Sequence, residues 1–185
     1  MRVIAGSLKG RRLKTPTWEG LRPTSDKLRE TLFNIIAARI PGARVLDGYA
    51  GTGALGIEAI SRGAGHVTFV ERDRRAQALV AANLAHCGIS DGYVIIRGSL
   101  GGALSDLNGA VFDVVLLDPP YEQTLDEPIA AGGNHLASGG LLVIEHAKRR
   151  DAIAATATLV RTRQVVSGDS ALSFFEHRPT GLAAG

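Results

Sequence analysis

From residue 43 onward, apolar runs of strand length alternate with stretches whose apolar residues recur at helical spacing. Ala43–Asp47, His66–Glu71, Tyr93–Arg97, Phe112–Asp118 and Gly140–His146 read as strands. Between them Ala54–Ser61, Asp73–His86, Ser99–Leu107 and a segment within 125–137 read as helices. The runs 114–117 and 141–144 are unbroken apolar stretches, as parallel strands covered on both faces should be. Residues 149–157 read as a further helix, and 159–166 and 171–177 as two strands close enough to pair antiparallel. Strands alternating with helices predict βαβ units on a mostly parallel sheet with helices on both faces.

Ahead of this block, Thr24-Ser25-Asp26 offers helix N-caps, and Leu28, Leu32, Phe33, Ile35 and Ile36 recur at helical spacing until Pro41-Gly42 stops them. Residues 2–5 and 9–14 read as a hairpin turning at Gly6, with Gly10 marking a bulge. Pro16, Gly20 and Pro23 then interrupt regular structure. The expected organisation is a hairpin extension over 1–20, one α/β domain over 21–180, and a fraying tail over 181–185.

Composition narrows the function. At 185 residues, 45% hydrophobic and 21% charged, the chain has the make-up of one globular domain rather than of a disordered one. No apolar run reaches the length of about 18–20 residues that a membrane helix needs. The N-terminus lacks the apolar core of a signal peptide, so a cytoplasmic protein is expected. One cysteine, Cys87, excludes an internal disulfide, and the five histidines lack ligand spacing, so no metal is expected. Charge is uneven: residues 1–30 hold eight Lys and Arg against three acids, net +5, and the remainder carries net −2. A basic arm on a mildly acidic body suits a polyanionic partner, nucleic acid first.

Two segments carry chemistry. In Asp47-Gly48-Tyr49-Ala50-Gly51-Thr52-Gly53-Ala54-Leu55-Gly56 the glycines lie between a predicted strand and a predicted helix, where backbone can approach a ligand. Asp47 ends the strand and would repel a pyrophosphate, but suits a ligand with an ammonium group. Glu71 ends the next strand and can accept both hydroxyls of a ribose. Asp73 reads as the following N-cap. S-adenosylmethionine (SAM) has these parts, a cationic amino-acid end and a ribose without phosphate; a dinucleotide site and a purely structural glycine turn are the competing readings. The expected cofactor residues are Asp47, Tyr49, Ala50, Gly51, Thr52, Gly53, Glu71, Arg72, Gly98, Ser99 and Asp118, the last three on a family resemblance.

The second segment, Asp118-Pro119-Pro120-Tyr121, ends the strand 112–118. Two prolines stiffen the turn and remove two N–H donors, leaving an acid and carbonyls that accept from an NH₂ group. Tyr121 adds a face for a base. An exocyclic amine is a poor nucleophile because its lone pair is delocalised; holding its N–H bonds on acceptors favours a pyramidal, reactive nitrogen. These four are the expected catalytic residues. A rigid structural turn is the alternative.

With these segments in hand, the chain resembles the RNA guanine-N2 methyltransferases that modify bacterial small-subunit ribosomal RNA. The resemblance is carried by Arg22-Pro23-Thr24-Ser25-Asp26 with Arg29-Glu30-Thr31-Leu32-Phe33-Asn34, by Leu46 to Ala59, and by Asp118 to Tyr121. It implies a Rossmann-like SAM-methyltransferase fold, seven-stranded with a reversed last strand. It also implies methyl transfer to N2 of a guanine in 16S rRNA, free or in an assembling small-subunit particle. The hairpin would grip RNA, making Lys9, Arg11, Arg12, Arg22, Thr24 and Tyr121 the substrate set. A DNA or protein (glutamine) amino-methyltransferase, or a non-catalytic RNA-binding assembly factor, are the alternatives. Two positions depart from the pattern. Arg97-Gly98-Ser99 stands where many such enzymes place an adenine-binding acid, leaving that contact to Ser99. Gly48 stands where a bulkier residue is common, which implies a looser loop. Glu145-His146 ends a strand, and its histidine is expected to be structural.

Overall fold

The computed structural model describes residues 1–18, 25–107, 109–150 and 155–179. Its elements in chain order are α1 (Asp26–Ile35), β1 (Arg44–Asp47), α2 (Ala54–Ser61), β2 (His66–Glu71), α3 (Arg74–His86) and β3 (Tyr93–Arg97). Then follow α4 (Leu100–Asp106), β4 (Phe112–Leu117), α5 (Asp126–Asn134), β5 (Leu136–Ala147), β6 (Leu159–Ser167) and β7 (Ser170–His177). Polar side chains start three helices: Ser25 Oγ accepts from Leu28 N–H, Asp73 from Arg75 N–H, and Ser99 Oγ from Gly102 N–H.

The seven strands form one sheet in the order β3-β2-β1-β4-β5-β7-β6. All pairings from β3 to β5 are parallel, and β7 runs against both β5 and β6, so it alone is reversed. This is the expected seven-stranded α/β architecture. Strand order reverses between β1 and β4, the switch point where open α/β sheets bind ligands.

Side-chain alternation along the strands divides the core into two layers. Val45, Phe69, Val114, Leu116 and Val143 pack beneath α1, α2 and α3. Leu46, Val70, Val115, Leu117 and Ile144 pack beneath α4 and α5. At Gly56, on α2, a Cβ would lie 2.2 Å from Phe69 Cε1, so only glycine lets this helix seat on β2.

Three expectations change. The N-terminal segment reverses as a hairpin, but its ladder is a single bridge, Arg2 to Arg12, instead of strands over 2–5 and 9–14. The reason is competition for donors: Ile4 and Ala5 give their N–H groups to the Glu58 carboxylate (2.7 and 3.0 Å), and Leu8 gives its N–H to Ser61 Oγ (3.0 Å). The arm is thus fastened to α2 as well as to itself, where Val3 N–H bonds the Arg11 carbonyl and Gly10 N–H the Val3 carbonyl (both 2.9 Å). β5 begins at Leu136, before the predicted Gly140, because Leu136 pairs with Phe112 and the strand passes through Gly139 at φ 72°. The predicted helix over 149–157 is not seen where that span is described: Ala155 bridges to Val160 and Thr156 N–H bonds the Leu159 carbonyl, a tight reversal into β6. Residues 151–154 of that span, and the tail, lie outside the described residues.

Gly56→Ala is expected to cost about 1–3 kcal/mol of stability by overpacking against Phe69, read as a lower urea midpoint with an unchanged denaturant slope.

Candidate active site

At the carboxyl ends of β1, β2 and β4 lies one cleft of about 610 Å³, lined by the glycine loop, the β2 end, the Asp118–Tyr121 turn and the start of α4. Of the expected cofactor residues, Tyr49, Ala50, Gly51, Thr52, Glu71, Arg72, Gly98, Ser99 and Asp118 line it. All four expected catalytic residues line it too.

The loop after β1 is shaped from below. Gly51 and Gly53 adopt φ of 54° and 79°, a left-handed backbone open to glycine. Asp47 does not line the cleft. Its carboxylate is buried and accepts from Gly56 N–H at 2.9 Å, tying the strand end to the first turn of α2. Burial pushes its pKa up to about 7; bonds from Gly56 and Tyr49 N–H oppose this, and the nearby Glu71 charge adds to it. Asp47 therefore shapes the loop from beneath and does not itself face the cleft. Gly48 does not loosen that loop, since a Cβ there would stand 2.6 Å from Leu117 Cδ2 and 2.9 Å from Leu100 Cδ1: these side chains fill the space.

Glu71 faces both ways. Its Oε2 accepts from Gly51 N–H (2.9 Å) and Oε1 from Asp73 N–H (2.9 Å). Each oxygen keeps a second lone pair, so the carboxylate can hold the loop and still accept two ribose hydroxyls. Ser99 Oγ is spent partly on its cap, accepting from Gly102 N–H at 3.3 Å.

On the acceptor side, Tyr121 Oη and Ser170 Oγ share a 2.7 Å hydrogen bond, which fixes the ring against the start of β7. Gln123 N–H bonds the Pro120 carbonyl (2.9 Å), and the Gln123 side chain bonds the Tyr49 hydroxyl, joining the acceptor turn to the glycine loop. Leu117 pairs with Ile144, so the next residues along, Asp118 and Glu145, are neighbours at the strand ends, and both line the cleft. His146 is engaged on both ring nitrogens, by Ser173 Oγ (2.9 Å) and the Ala147 carbonyl (3.0 Å), which is the structural role expected of it.

Six carboxylates line the cleft, those of Glu71, Asp73, Asp118, Glu122, Glu127 and Glu145, against the guanidinium groups of Arg72 and Arg75. That excess of acid repels a pyrophosphate and accommodates a sulfonium with an ammonium group. The donor set thus fits SAM and not a dinucleotide.

The expected substrate residues are less concentrated. The hairpin turn rests on Ser61, at the far end of α2, about 12 Å from the cleft at 1.5 Å per residue over eight residues. Lys9 and Arg12 are exposed there, while Arg11 Nη1 donates to the Cys87 carbonyl (2.7 Å) beyond the end of α3. Arg22 and Thr24 lie outside the described residues.

Sequence reasoning missed the polar side chains that fasten the arm. Glu58 and Ser61 of α2 are two of them. Asn83 is fully buried on α3: its Oδ1 accepts from Lys14 N–H (2.7 Å), and its Nδ2 donates to the carbonyls of Lys14 (3.1 Å) and Thr52 (2.9 Å). A signal existed, since each is a polar residue on an otherwise apolar helix face.

Fold and cleft together define the class: a Rossmann-like SAM-dependent methyltransferase fold. The chain belongs to the Cons_hypoth95 family, "Conserved hypothetical protein 95", whose model matches residues 1–176. It is 39% identical over 158 residues to the Ribosomal RNA small subunit methyltransferase D of Haemophilus influenzae, covering 83% of this chain and 82% of that one. The solved structure of yhhF from Escherichia coli, described provisionally as a methyltransferase, is 34% identical with a TM-score of 0.82, covering 96% of this chain and 97% of that one. At the level of fold alone, SMU.776, also described provisionally as a methyltransferase and solved with SAH (S-adenosylhomocysteine), has a TM-score of 0.65 at 16% identity over 80% of this chain and 48% of that one.

Because the Asp47 carboxyl has its pKa raised to about 7, binding of the ammonium end shared by SAM and SAH is expected to strengthen as pH rises from 6 to 8 and the carboxyl ionises. Calorimetric titration with SAH should show this slope in the parent chain, and Asp47→Asn should flatten it.

Proposed function

We propose that the chain transfers a methyl group from SAM to the exocyclic N2 amine of a guanine in 16S rRNA, in the cytoplasm, on free rRNA or on an assembling small-subunit particle. The observation that carries this reading is the lining of one cleft by both the Glu71–glycine loop and the Asp118–Tyr121 turn. The names of its relatives support ribosomal RNA as the substrate.

Bound on the glycine loop, SAM supplies a methyl carbon whose bond to the sulfonium sulfur breaks as a bond to the attacking nitrogen forms. The protein's own part is to hold that nitrogen. Asp118 and the carbonyls of the proline turn accept from the amine's two N–H bonds, which favours a pyramidal nitrogen with its lone pair available. As the new N–C bond forms, the nitrogen becomes acidic and Asp118 takes the proton or passes it to water. Pro119 and Pro120 keep the acceptors in place without reorganisation. Tyr121, oriented by Ser170, offers a stacking face worth about 1–3 kcal/mol to an unstacked base. The base must leave its stack to reach the cleft, which favours an RNA loop over a duplex.

The arm supports an RNA partner in a different way. Its exposed Lys9, in the turn that rests on Ser61, sits about one short helix away from the cleft, a distance suited to phosphates flanking the target nucleotide and not to the base itself. Among the described residues no helix is long and apolar enough to cross a membrane, and no group of His, Cys, Asp and Glu could hold a metal ion.

Asp118→Asn is expected to lower methyl transfer to small-subunit rRNA by at least about a hundredfold, well beyond any loss of SAH affinity, because the lost group acts chiefly on the nitrogen. Mass analysis of nucleosides from the reacted rRNA should show N2-methylguanosine; label appearing in DNA or on a glutamine amide would replace the substrate, and full activity of the variant would remove Asp118 from the reaction.

A further inference from the structure

The arm does more than carry positive charge. After its backbone is clamped at Lys14 by Asn83, it continues to Trp18, whose half-buried indole lines the cleft. The guanidinium of Arg75 stands 5.0 Å from the centre of that ring. Arg75 is itself held by Asp73 (Nη2 to Oδ2, 2.8 Å), and Asp73 N–H is bonded to Glu71 Oε1 at 2.9 Å. A rail of three side chains therefore runs from the carboxylate suited to a ribose out to the indole. The ring is placed at the donor end of the cleft, and among the described residues it belongs to neither apolar layer of the core.

We propose that Trp18 is a wall of the cofactor site, a stacking and shielding surface for the nucleoside end of the methyl donor, brought there by the arm. The inference rests on the methyltransferase reading above and adds a residue outside the glycine loop and the strand ends. Three observations carry it. A large aromatic left half-exposed on a cleft has surface to cover, and a flat heteroaromatic ligand covers it best. Arg75 secures one part of the indole, so the ring is presented without the entropy cost of ordering it on binding. Asn83 holds the Thr52 carbonyl of the glycine loop and both backbone groups of Lys14, so the loop and the arm that delivers Trp18 move as one unit. The consequence is linkage: fastening the arm favours the donor site, and a bound donor favours the fastened arm.

Trp18 is the sole tryptophan, so its fluorescence reports this position alone. Titration with SAH, followed in parallel by calorimetry, should change the emission with the same midpoint as the heat. Trp18→Phe should keep the affinity within about threefold, and Trp18→Ala should weaken it about tenfold, the loss expected of one base–aromatic stack. Thermal melting of both variants and anisotropy with a small-subunit rRNA transcript complete the set. Emission unchanged at calorimetric saturation overturns the assignment, as does Trp18→Ala binding SAH like the parent. Weaker rRNA binding by Trp18→Ala with unchanged SAH affinity overturns it in favour of an RNA contact. If the parent chain itself releases no heat with SAH, the methyltransferase reading fails and the assignment falls with it; if the parent binds and only the tryptophan tests fail, that reading stands.

Discussion

Parallel pairing of β1 with β4 is the constraint on which the site depends. Val45, Leu46 and Asp47 stand opposite Val114, Val115 and Leu116, and Gly48 N–H continues the pairing to the Leu116 carbonyl at 2.9 Å. Because both strands run the same way, both end at one edge. The glycine loop leaves the first and the Asp-Pro-Pro-Tyr turn leaves the second. Their side-chain alternation is also fixed by this register: a slip of one residue would move Leu46 and Val115 into the opposite layer and turn Asp47 out of its bond to Gly56. The glycine loop and the Asp118–Tyr121 turn thus share one cleft as two consequences of one strand pairing.

Around that edge the charges are sorted. Acids gather inside the cleft, while Lys9 and Arg12 are exposed and do not line it. Asp47 carries a cost for its place. A buried acid with its pKa raised to about 7 is stabilised in its protonated form in the fold, so its contribution to stability is best below pH 4 and worsens as pH climbs through 7. The fold accepts that penalty at the position where an ionised carboxylate would organise a loop beneath an ammonium group, the kind of local conflict that marks functional sites.

Much of this was legible in the residues, for physical reasons that also explain the gaps. The helix over Ala54–Ser61 and the strand over His66–Glu71 were bounded by glycines and acids whose turn and cap chemistry is local, and local chemistry can be read from sequence. The reversed β7 followed from a gap too short for a crossover helix. The arm was harder. Strand pairing takes only part of its backbone donors, because Glu58 and Ser61 on α2 compete for the others, and that competition exists only once helix and arm are packed together. The span 149–157 had helical composition, but the bridge from Ala155 to Val160 draws its end into the β6 edge. Trp18 gave no periodic signal at all, because its position is set by Asn83 and Arg75, both far along the chain.

The central claim is that one sheet edge presents a methyl donor directly to an amine held on Asp118. The most direct measurement is a crystal structure of the chain with SAH. The account predicts a sulfur atom directed at the Asp118–Tyr121 turn, leaving room for a methyl carbon and a nitrogen about 3–3.5 Å apart between them. A sulfur buried against the glycine loop and facing away from Asp118, with protein filling the space between, would contradict it.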